Sequence, residues 1–509
     1  MPTSSKTIAK NTIFLYFRMI LVMLVSLYTS RVVLEVLGAS DYGLYNVVGG
    51  IVAMLAILNG SISAGTSRFI TYELGKGDKE RLRNVFNVSL VSHIIIAVIV
   101  FIIAETVGLW FLNTKIVFSA DRLTAVNVVY QLSIFTAMLN FTQIPYTATI
   151  IAHEKMSIYA YISILEVCLK LLMVFLLVKI HTYDGLIAYA VMLFGIQVIT
   201  ILIYRFYCLH QYEESHWRFV KDTQHYRTIL SFAGWDIIGT MCVISQGQGI
   251  NILLNLYFGP IVNAAHAIAY QVQGAIQQLT NNFMMAVQPE IVKTYARNEH
   301  DLMTRLINNA AIYSYYLLLV FVLPLLFRMD YVLELWLNRV PDYAVVFTQI
   351  ILINIMIRAI ANPVIKGVHA TGDIKYFNLV AGGVGLMPLP VCWLGLHWGL
   401  PPTYAIWIVL IWGIIANIIE IYFLANQLPT FSAREHVLIV YLRCSLVTMF
   451  SILPCLYLDD YYHNSFVGFC VYYLSAFISI CIIVFFVGLT KSLKIAIVNK
   501  MKYAIHRIV

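Results

Sequence analysis

Residues 70–80 read Ile-Thr-Tyr-Glu-Leu-Gly-Lys-Gly-Asp-Lys-Glu, and residues 291–301 read Ile-Val-Lys-Thr-Tyr-Ala-Arg-Asn-Glu-His-Asp. At an offset of 221, Ile70 falls on Ile291, Lys76 on Arg297, Asp78 on Glu299 and Glu80 on Asp301. The same offset lays Gly38 on Gly259 and Leu58 on Leu279. An offset of 218 lays Pro145 on Pro363, Ala152 on Ala370 and Tyr159 on Phe377. These matches sit at turns and at the ends of apolar runs, where backbone geometry restricts the residue. The order of apolar runs repeats with them, so the chain reads as a duplication. Paired repeats in a hydrophobic chain are how many secondary transporters build two halves that rock about a central site.

The 509 residues are 61% hydrophobic and 11% charged, against roughly 25% charged in a soluble chain. That excludes an ordinary globular protein and predicts an all-α integral membrane protein. A spanning helix needs about 20 mostly apolar residues. Fourteen stretches qualify: 12–34, 44–64, 85–111, 124–150, 158–178, 185–208, 228–257, 261–287, 307–327, 343–369, 375–396, 403–425, 437–458 and 464–489. Nothing from Asn464 to Thr490 carries a formal charge. The run Tyr376–Ile419 is also uncharged and twice a span's length, with Gly399 and Pro401-Pro402 supplying the turn inside it.

Orientation follows from positive charge, which concentrates on the cytoplasmic side. With both termini inside, 23 of the 33 Lys and Arg fall on cytoplasmic ends and loops, from Lys6 and Lys10 through Arg68–Arg83 to Lys491–Arg507. Six lie opposite: Arg31, Lys115, Arg122, Lys179, Arg328 and Arg339. The other four, Arg18, Lys170, Arg358 and Arg443, lie within or at the edge of spans. An even number of spans per half makes the repeats parallel. The expected division is an N-lobe over 1–208, a cytoplasmic linker over 209–227, a C-lobe over 228–425, and two appended spans with a basic tail over 426–509. The first span reads as a retained signal anchor. The net charge of +8 reflects this bias and contact with anionic lipid headgroups, and no nucleic-acid partner is expected.

Every loop is too short for a folded catalytic domain. There is no Gly-rich phosphate loop, no HExxH and no paired Cys/His spacing, so no metal or cofactor is expected. The eight cysteines read as small core hydrophobes. A secondary transporter or flippase, a channel and a membrane-embedded enzyme remain open.

A charge at the bilayer centre costs roughly 2.5–3.5 kcal/mol on insertion scales and normally faces the protein interior. Arg18 and Arg358 lie inside expected spans with no acid three or four residues away. Their partners must come from other helices, water or a ligand, and Asp236 and Glu420 are the buried acids on offer. Arg18 shares a helical face with Asn11, two turns earlier. Lys170 follows Glu166 by four residues, the spacing of a helical ion pair, and Arg31 precedes Glu35 by the same interval. Glu166, Asp236 and Glu420 are the candidate coupling acids. Between Ile237 and Gln288 there is no formal charge but many amides, including Gln248, Asn251, Gln273 and Gln277. His266, Tyr270, Gln273, Gln277 and Asn281 stack on one helical face. Amides and aromatics suit sugar hydroxyls, although Asn and Gln also join helices to one another.

Asn11-Thr12 with Arg18, Ser30-Arg31-Val32-Val33-Leu34, Leu37-Gly38 and Asp41-Tyr42-Gly43-Leu44-Tyr45 resemble the first two spans of polysaccharide (Wzx-like, O-antigen and capsule) flippases. That family shares a superfamily with the MATE exporters and the lipid II flippase. The turn after Pro145 through His153-Glu154-Lys155, and its partner from Pro363 through Gly372-Asp373, look similar to the family's corresponding connections. The resemblance implies two six-helix lobes around a central cavity, alternating access, and a substrate on a polyprenyl pyrophosphate carrier.

The expectation is therefore a fourteen-span flippase of the bacterial inner membrane, not an enzyme. Its partners would be an undecaprenyl-pyrophosphate-linked glycan, membrane lipids and the polysaccharide polymerase machinery. Arg18, Arg358 and Lys170 would meet the pyrophosphate, and Gln248, Asn251, Gln273 and Gln277 the sugars. A MATE-like cation-coupled antiporter is the first alternative, for which Glu105 and Glu166 on N-lobe helices speak. A membrane-embedded glycan polymerase or ligase is the second.

Overall fold

The protein is described here by a computed structural model covering residues 3–55, 58–115, 120–179, 184–218, 220, 223–337, 340–461, 465–489 and 494. The helices are α1 (Thr3–Leu55), α2 (Leu58–Lys76), α3 (Lys79–Ile103), α4 (Leu109–Lys115), α5 (Leu123–Ala152), α6 (Met156–Lys179), α7 (Gly185–Gln211), α8 (Thr223–Phe258) and α9 (Pro260–Ala296). They continue as α10 (His300–Phe327), α11 (Met329–Trp336), α12 (Ala344–Thr371), α13 (Lys375–Leu386), α14 (Pro388–His397), α15 (Thr403–Gln427), α16 (Ala433–His436), α17 (Leu442–Tyr461) and α18 (Phe466–Ile483). No strand occurs among the described residues. The rest of the basic tail, 491–493 and 495–509, lies outside the described residues, as do Arg339 and the Arg31 side chain of the expected pair with Glu35.

Eleven helical runs among the described residues are long and apolar enough to cross a membrane. The chain is a multi-pass membrane protein. The eleven coincide with eleven of the fourteen expected spans. The other three fall on α1, α2 and α9. Helix α9 has the length, at 37 residues, but its amides depress its hydropathy.

At the amino end the structure departs from the expected turn. Helix α1 runs unbroken for 53 residues, about 80 Å at 1.5 Å per residue, and Gly38 lies inside it. An isolated glycine costs a helix only about 1 kcal/mol, so Gly38 does not end one without a left-handed backbone. Gly259 does have that backbone, with φ of 78° between α8 and α9. The expected equivalence of these two turns is therefore not present.

Other paired turns do match in conformation. The offset of 221 lays Gly77 on Asn298, and both are left-handed, at φ 79° and 59°. The next residues, Asp78 and Glu299, are the N-caps of α3 and α10. Asp78 accepts from the Arg81 backbone N–H at 3.0 Å, satisfying one of the free donors of the first turn. The offset of 218 lays Glu154 on Gly372, again both left-handed, at φ 57° and 88°.

The described residues form two compact units, 1–240 with 285–298, and 241–284 with 299–509. Helices α8 and α9 each run from one unit into the other. In the first unit α5 packs against α2, α3 and α7, while α6 packs against α1. In hydrocarbon, packing and interhelical hydrogen bonds hold helices together. Tyr130 Oη donates to the Ala104 carbonyl at 2.7 Å, at a π-helical turn over Ala104–Gly108. Gln197 meets Asn140 at 2.5 Å and Arg205 meets Thr142 at 2.7 Å.

Two polar knots join the helix ends of this unit. Arg122 binds Asp184 at 2.5 Å and Asp41 at 2.8 Å, tying the start of α5 to α1 and α7. Asp184 also caps α7, accepting from Leu186 and Ile187. At residues 212–218, His153 Nε2 meets Glu214 Oε1 at 2.6 Å while the imidazole stacks on Tyr212 at 4.2 Å. Asn87 donates to the His216 carbonyl and accepts from the Arg218 N–H. Burial pushes the Glu214 carboxyl up, but the hydrogen bond from His153 and local charges outweigh it and hold it below the usual carboxylate range.

In the second unit α12 packs between α10 and α15. The two appended helices are fastened to α10 by phenol groups. Tyr315 Oη bonds Thr448 at 2.7 Å, Tyr473 Oη the Phe321 carbonyl at 3.2 Å, and Tyr472 Oη the Pro324 carbonyl at 3.3 Å. Arg328, just past α10, binds both the carboxylate and the carbonyl of Asp459.

Arg122→Gln leaves Asp41 largely buried without its cation, so it is expected to cost about 1–3 kcal/mol. The checking measurement is thermal unfolding in detergent, where Arg122→Lys should recover part of the loss and Gln none of it.

Candidate functional site

In the first unit Arg18 projects from α1 toward α6. Its Nη1 donates to Tyr159 Oη at 3.3 Å, and the guanidinium carbon lies 4.8 Å from the Tyr159 ring centre. Tyr159 is adjacent to Tyr204 of α7, with centroids 6.5 Å apart. Along α6, Tyr159, Ser163, Glu166 and Lys170 are spaced by four, three and four residues, so they share one face. Glu166 and Lys170 form the expected ion pair at 2.6 Å. Both remain partly exposed, so the pair sits on an open face of α6. Asp236, on the part of α8 that belongs to this unit, is 7% exposed.

In the second unit Arg358 has the partner that the sequence offered. Its Nη1 donates to both Glu420 oxygens at 3.0 Å and to Asn417 Oδ1 at 2.6 Å. Asn417 donates in turn to the Ile357 carbonyl at 3.2 Å and to Tyr441 Oη at 3.4 Å. The Glu420 side chain is 4% exposed and that of Arg358 33%. The carboxylate is thus buried, while the guanidinium extends from it toward open space. A buried acid so close offsets the arginine's charge, and the interaction falls on Nη1 alone. Asn354, one turn before Arg358, has a buried Oδ1 without a partner among the described residues.

The amides fall into two groups. On α8 and α9, Asn251 Oδ1 meets His266 Nδ1 at 3.3 Å, and the imidazole lies 4.5 Å from Tyr270. His266 is buried, with its Nε2 unpartnered among the described residues. Gln273 Nε2 donates to Gln277 Oε1 at 3.4 Å. Gln248 and Gln277 are exposed, and Asn251 and Gln273 partly so. An amide without partners in hydrocarbon costs roughly 2–7 kcal/mol, so an exposed amide is better served by water than by lipid.

Of the expected residues, the structure brings together Arg358 with Glu420, Glu166 with Lys170, and Gln273 with Gln277. Tyr159, Tyr204, Asn417 and Asn354 complete these constellations but were not anticipated. The spacing of Tyr159 ahead of Ser163, Glu166 and Lys170 could have found the first. Asn417 lies three residues before Glu420, the spacing of a shared helical face.

Residues 8–295, more than half of the chain, match the family model described as polysaccharide biosynthesis protein. No curated protein sequence matches significantly. Among solved structures, an outward-facing multidrug resistance MATE family transporter of the MOP superfamily is similar at TM-score 0.69 and 15% identity. That match covers 85% of this chain and 97% of the other. A MOP superfamily transporter from Pyrococcus furiosus matches at TM-score 0.70 and 14% identity, over 84% and 96% of the chains. A Vibrio cholerae MATE transporter matches at 0.69 and 16%, over 85% and 98%. The fold is MATE-like.

Arg358→Gln alone strands a buried carboxylate and is expected to cost about 3–5 kcal/mol. Thermal unfolding in detergent checks this. Pairing it with Glu420→Gln should restore most of the loss, because the uncompensated charge is then gone.

Proposed function

The chain belongs to the polysaccharide biosynthesis protein family, and we propose that it is a flippase of the bacterial inner membrane. It would carry an undecaprenyl-pyrophosphate-linked glycan from the cytoplasmic to the outer leaflet by alternating access, for capsule, O-antigen or exopolysaccharide synthesis. The observation that carries this reading is the exposed amide face of α8 and α9, with Gln248, Gln273 and Gln277, in a chain of this family. Amides offer donors and acceptors together, which matches sugar hydroxyls. The MATE-like fold supports a transporter rather than an enzyme such as a glycan polymerase or ligase.

Arg18 and the open side of Arg358 are the proposed contacts for the pyrophosphate, since a guanidinium fork bonds phosphate oxygens bidentately. Lys170 would add a cation on α6. Arg358 is offset by Glu420, so its full charge reaches an anion only when Glu420 is protonated. That makes Glu420 the best placed of the candidate coupling acids, ahead of Glu166, which Lys170 offsets, and the buried Asp236. The MATE-like antiporter is the second reading, favoured by the fold of the similar structures.

The test is complementation of a flippase deletion, reading the accumulated lipid-linked intermediate per folded molecule. The flippase reading expects wild-type chain to clear the intermediate, Arg18→Gln to lose most of that activity, and Arg18→Lys to keep part. Paired Gln273→Leu and Gln277→Leu should impair clearance more than thermal stability. Drug efflux without any effect on the intermediate would favour the antiporter.

A further inference from the structure

Every hydrogen bond that Arg358 makes among the described residues falls on Nη1, which meets Asn417 Oδ1 at 2.6 Å and both Glu420 oxygens at 3.0 Å. Its Nε and Nη2 have no partner among the described residues, and neither is enclosed. Together these two form one of the bidentate edges of the planar guanidinium. The stem is fixed as well. Gly413 of α15 lies so close to α12 that an added Cβ would stand 2.6 Å from Asn354 Oδ1 and 3.8 Å from Arg358 Cδ.

Asn417 is itself held from two sides. Its Nδ2 donates to the Ile357 carbonyl at 3.2 Å and to Tyr441 Oη at 3.4 Å. A carbonyl only accepts, so the amide stands with its oxygen on the arginine. Tyr441 comes from the appended part of the chain. It ends the π-helical turn Val437–Tyr441 that leads into α17, and such turns are frequent at functional sites. His436, just before that turn, meets Asn308 of α10 at 2.7 Å, and its ring lies 5.9 Å from that of Tyr441. All of these residues belong to the second unit. In the first unit, the offset of 218 lays Asn140 on Arg358, and there Gln197 of α7 bonds Asn140 at 2.5 Å. A neutral amide pair is thus enough to join two helices at that position. The arginine, with a third helix behind its partner, answers a different need.

We propose that Asn417 and Tyr441 are positioning residues for Arg358, through which the appended helices hold its Nε–Nη2 edge ready for a phosphate group. The inference rests on the reading of Arg358 as a pyrophosphate contact and adds what sets its geometry. A free arginine side chain loses rotamer freedom when it binds, and one held beforehand does not. Glu420 holds Nη1 by charge, whereas the amide of Asn417 holds it whether or not that acid carries a proton.

The experiment follows phenylglyoxal modification of Arg358 by mass spectrometry, in the full-length chain in detergent. The reagent adds across two guanidinium nitrogens, so a held Nη1 slows it. Tyr441→Phe removes a single oxygen and should raise the rate at Arg358 about two- to tenfold, the range of one hydrogen bond. Asn417→Leu should raise it no less. Arg122, read in the same digest, should keep its rate. The control is Tyr315→Phe, which cuts another phenol bond between α10 and the appended helices and should leave Arg358 unchanged. An unchanged Arg358 rate in Tyr441→Phe overturns the proposal. So does an equal rise in Tyr315→Phe, which would mean general loosening. Undecaprenyl pyrophosphate added to the wild-type chain should protect Arg358. The variant rates need no lipid, so the two readings fail separately. The variant pattern without protection would sink the pyrophosphate contact at Arg358 and keep Asn417 and Tyr441 as the residues that position it.

Discussion

A backbone in hydrocarbon has no water to bond, so each N–H and C=O must be satisfied within the chain. That constraint makes the described structure helical throughout and places the burden of design on helix ends. There the free donors and acceptors of the last turns must find partners, and only a few backbone conformations let the chain reverse. Gly77, Glu154, Asn298 and Gly372 all meet that demand in the same way, by turning left-handed where a helix stops. Asp78 and Asp184 then open the next helix by capping it. The polar side chains that hold this fold, Arg122 with two aspartates and His153 with Glu214, cluster at those same ends.

The same solvent argument governs charges along the spans. An ionised group there must be paired or wet. Arg358 is paired, with Glu420 almost wholly buried beneath it and Asn417 fixing the geometry. Lys170 and Glu166 are paired but open. The amides of α8 and α9 carry no charge, and of them Gln248 and Gln277 are exposed. Asn251 joins α8 to α9 through His266, and Gln277 accepts from Gln273.

Much of this was legible because it depends on local chemistry. Eleven spans announce themselves by apolar length, and the Glu166–Lys170 pair by its spacing on one helix. The likeness of the turns at Gly77 and Asn298 was legible in Lys76–Glu80 and Arg297–Asp301, because a turn restricts the residues that make it. Gly38 misled for the converse reason. A glycine permits a left-handed turn without requiring one, and the helix passes through it. At α9 the length of a span is present but the apolar character is not, because its amides lower its hydropathy. Pairings between helices were only half visible. Glu420 could be offered to Arg358 as a buried acid, but choosing it over Asp236 depends on packing that no local pattern encodes.

The two intramembrane arginines show how one residue type can be held ready in two ways. Arg18 is described on an aromatic support, stacked near Tyr159 and hydrogen-bonded to its hydroxyl. A ring face steadies the guanidinium while leaving its charge intact, since the quadrupole attracts a cation without neutralising it. Arg358 is held by a carboxylate, which steadies it more firmly and offsets its charge. That pair is a dipole whose negative end is buried, since the Glu420 side chain is only 4% exposed. In the sequence each arginine has the same surroundings, an apolar run without a nearby acid, and only the neighbouring helices set them apart.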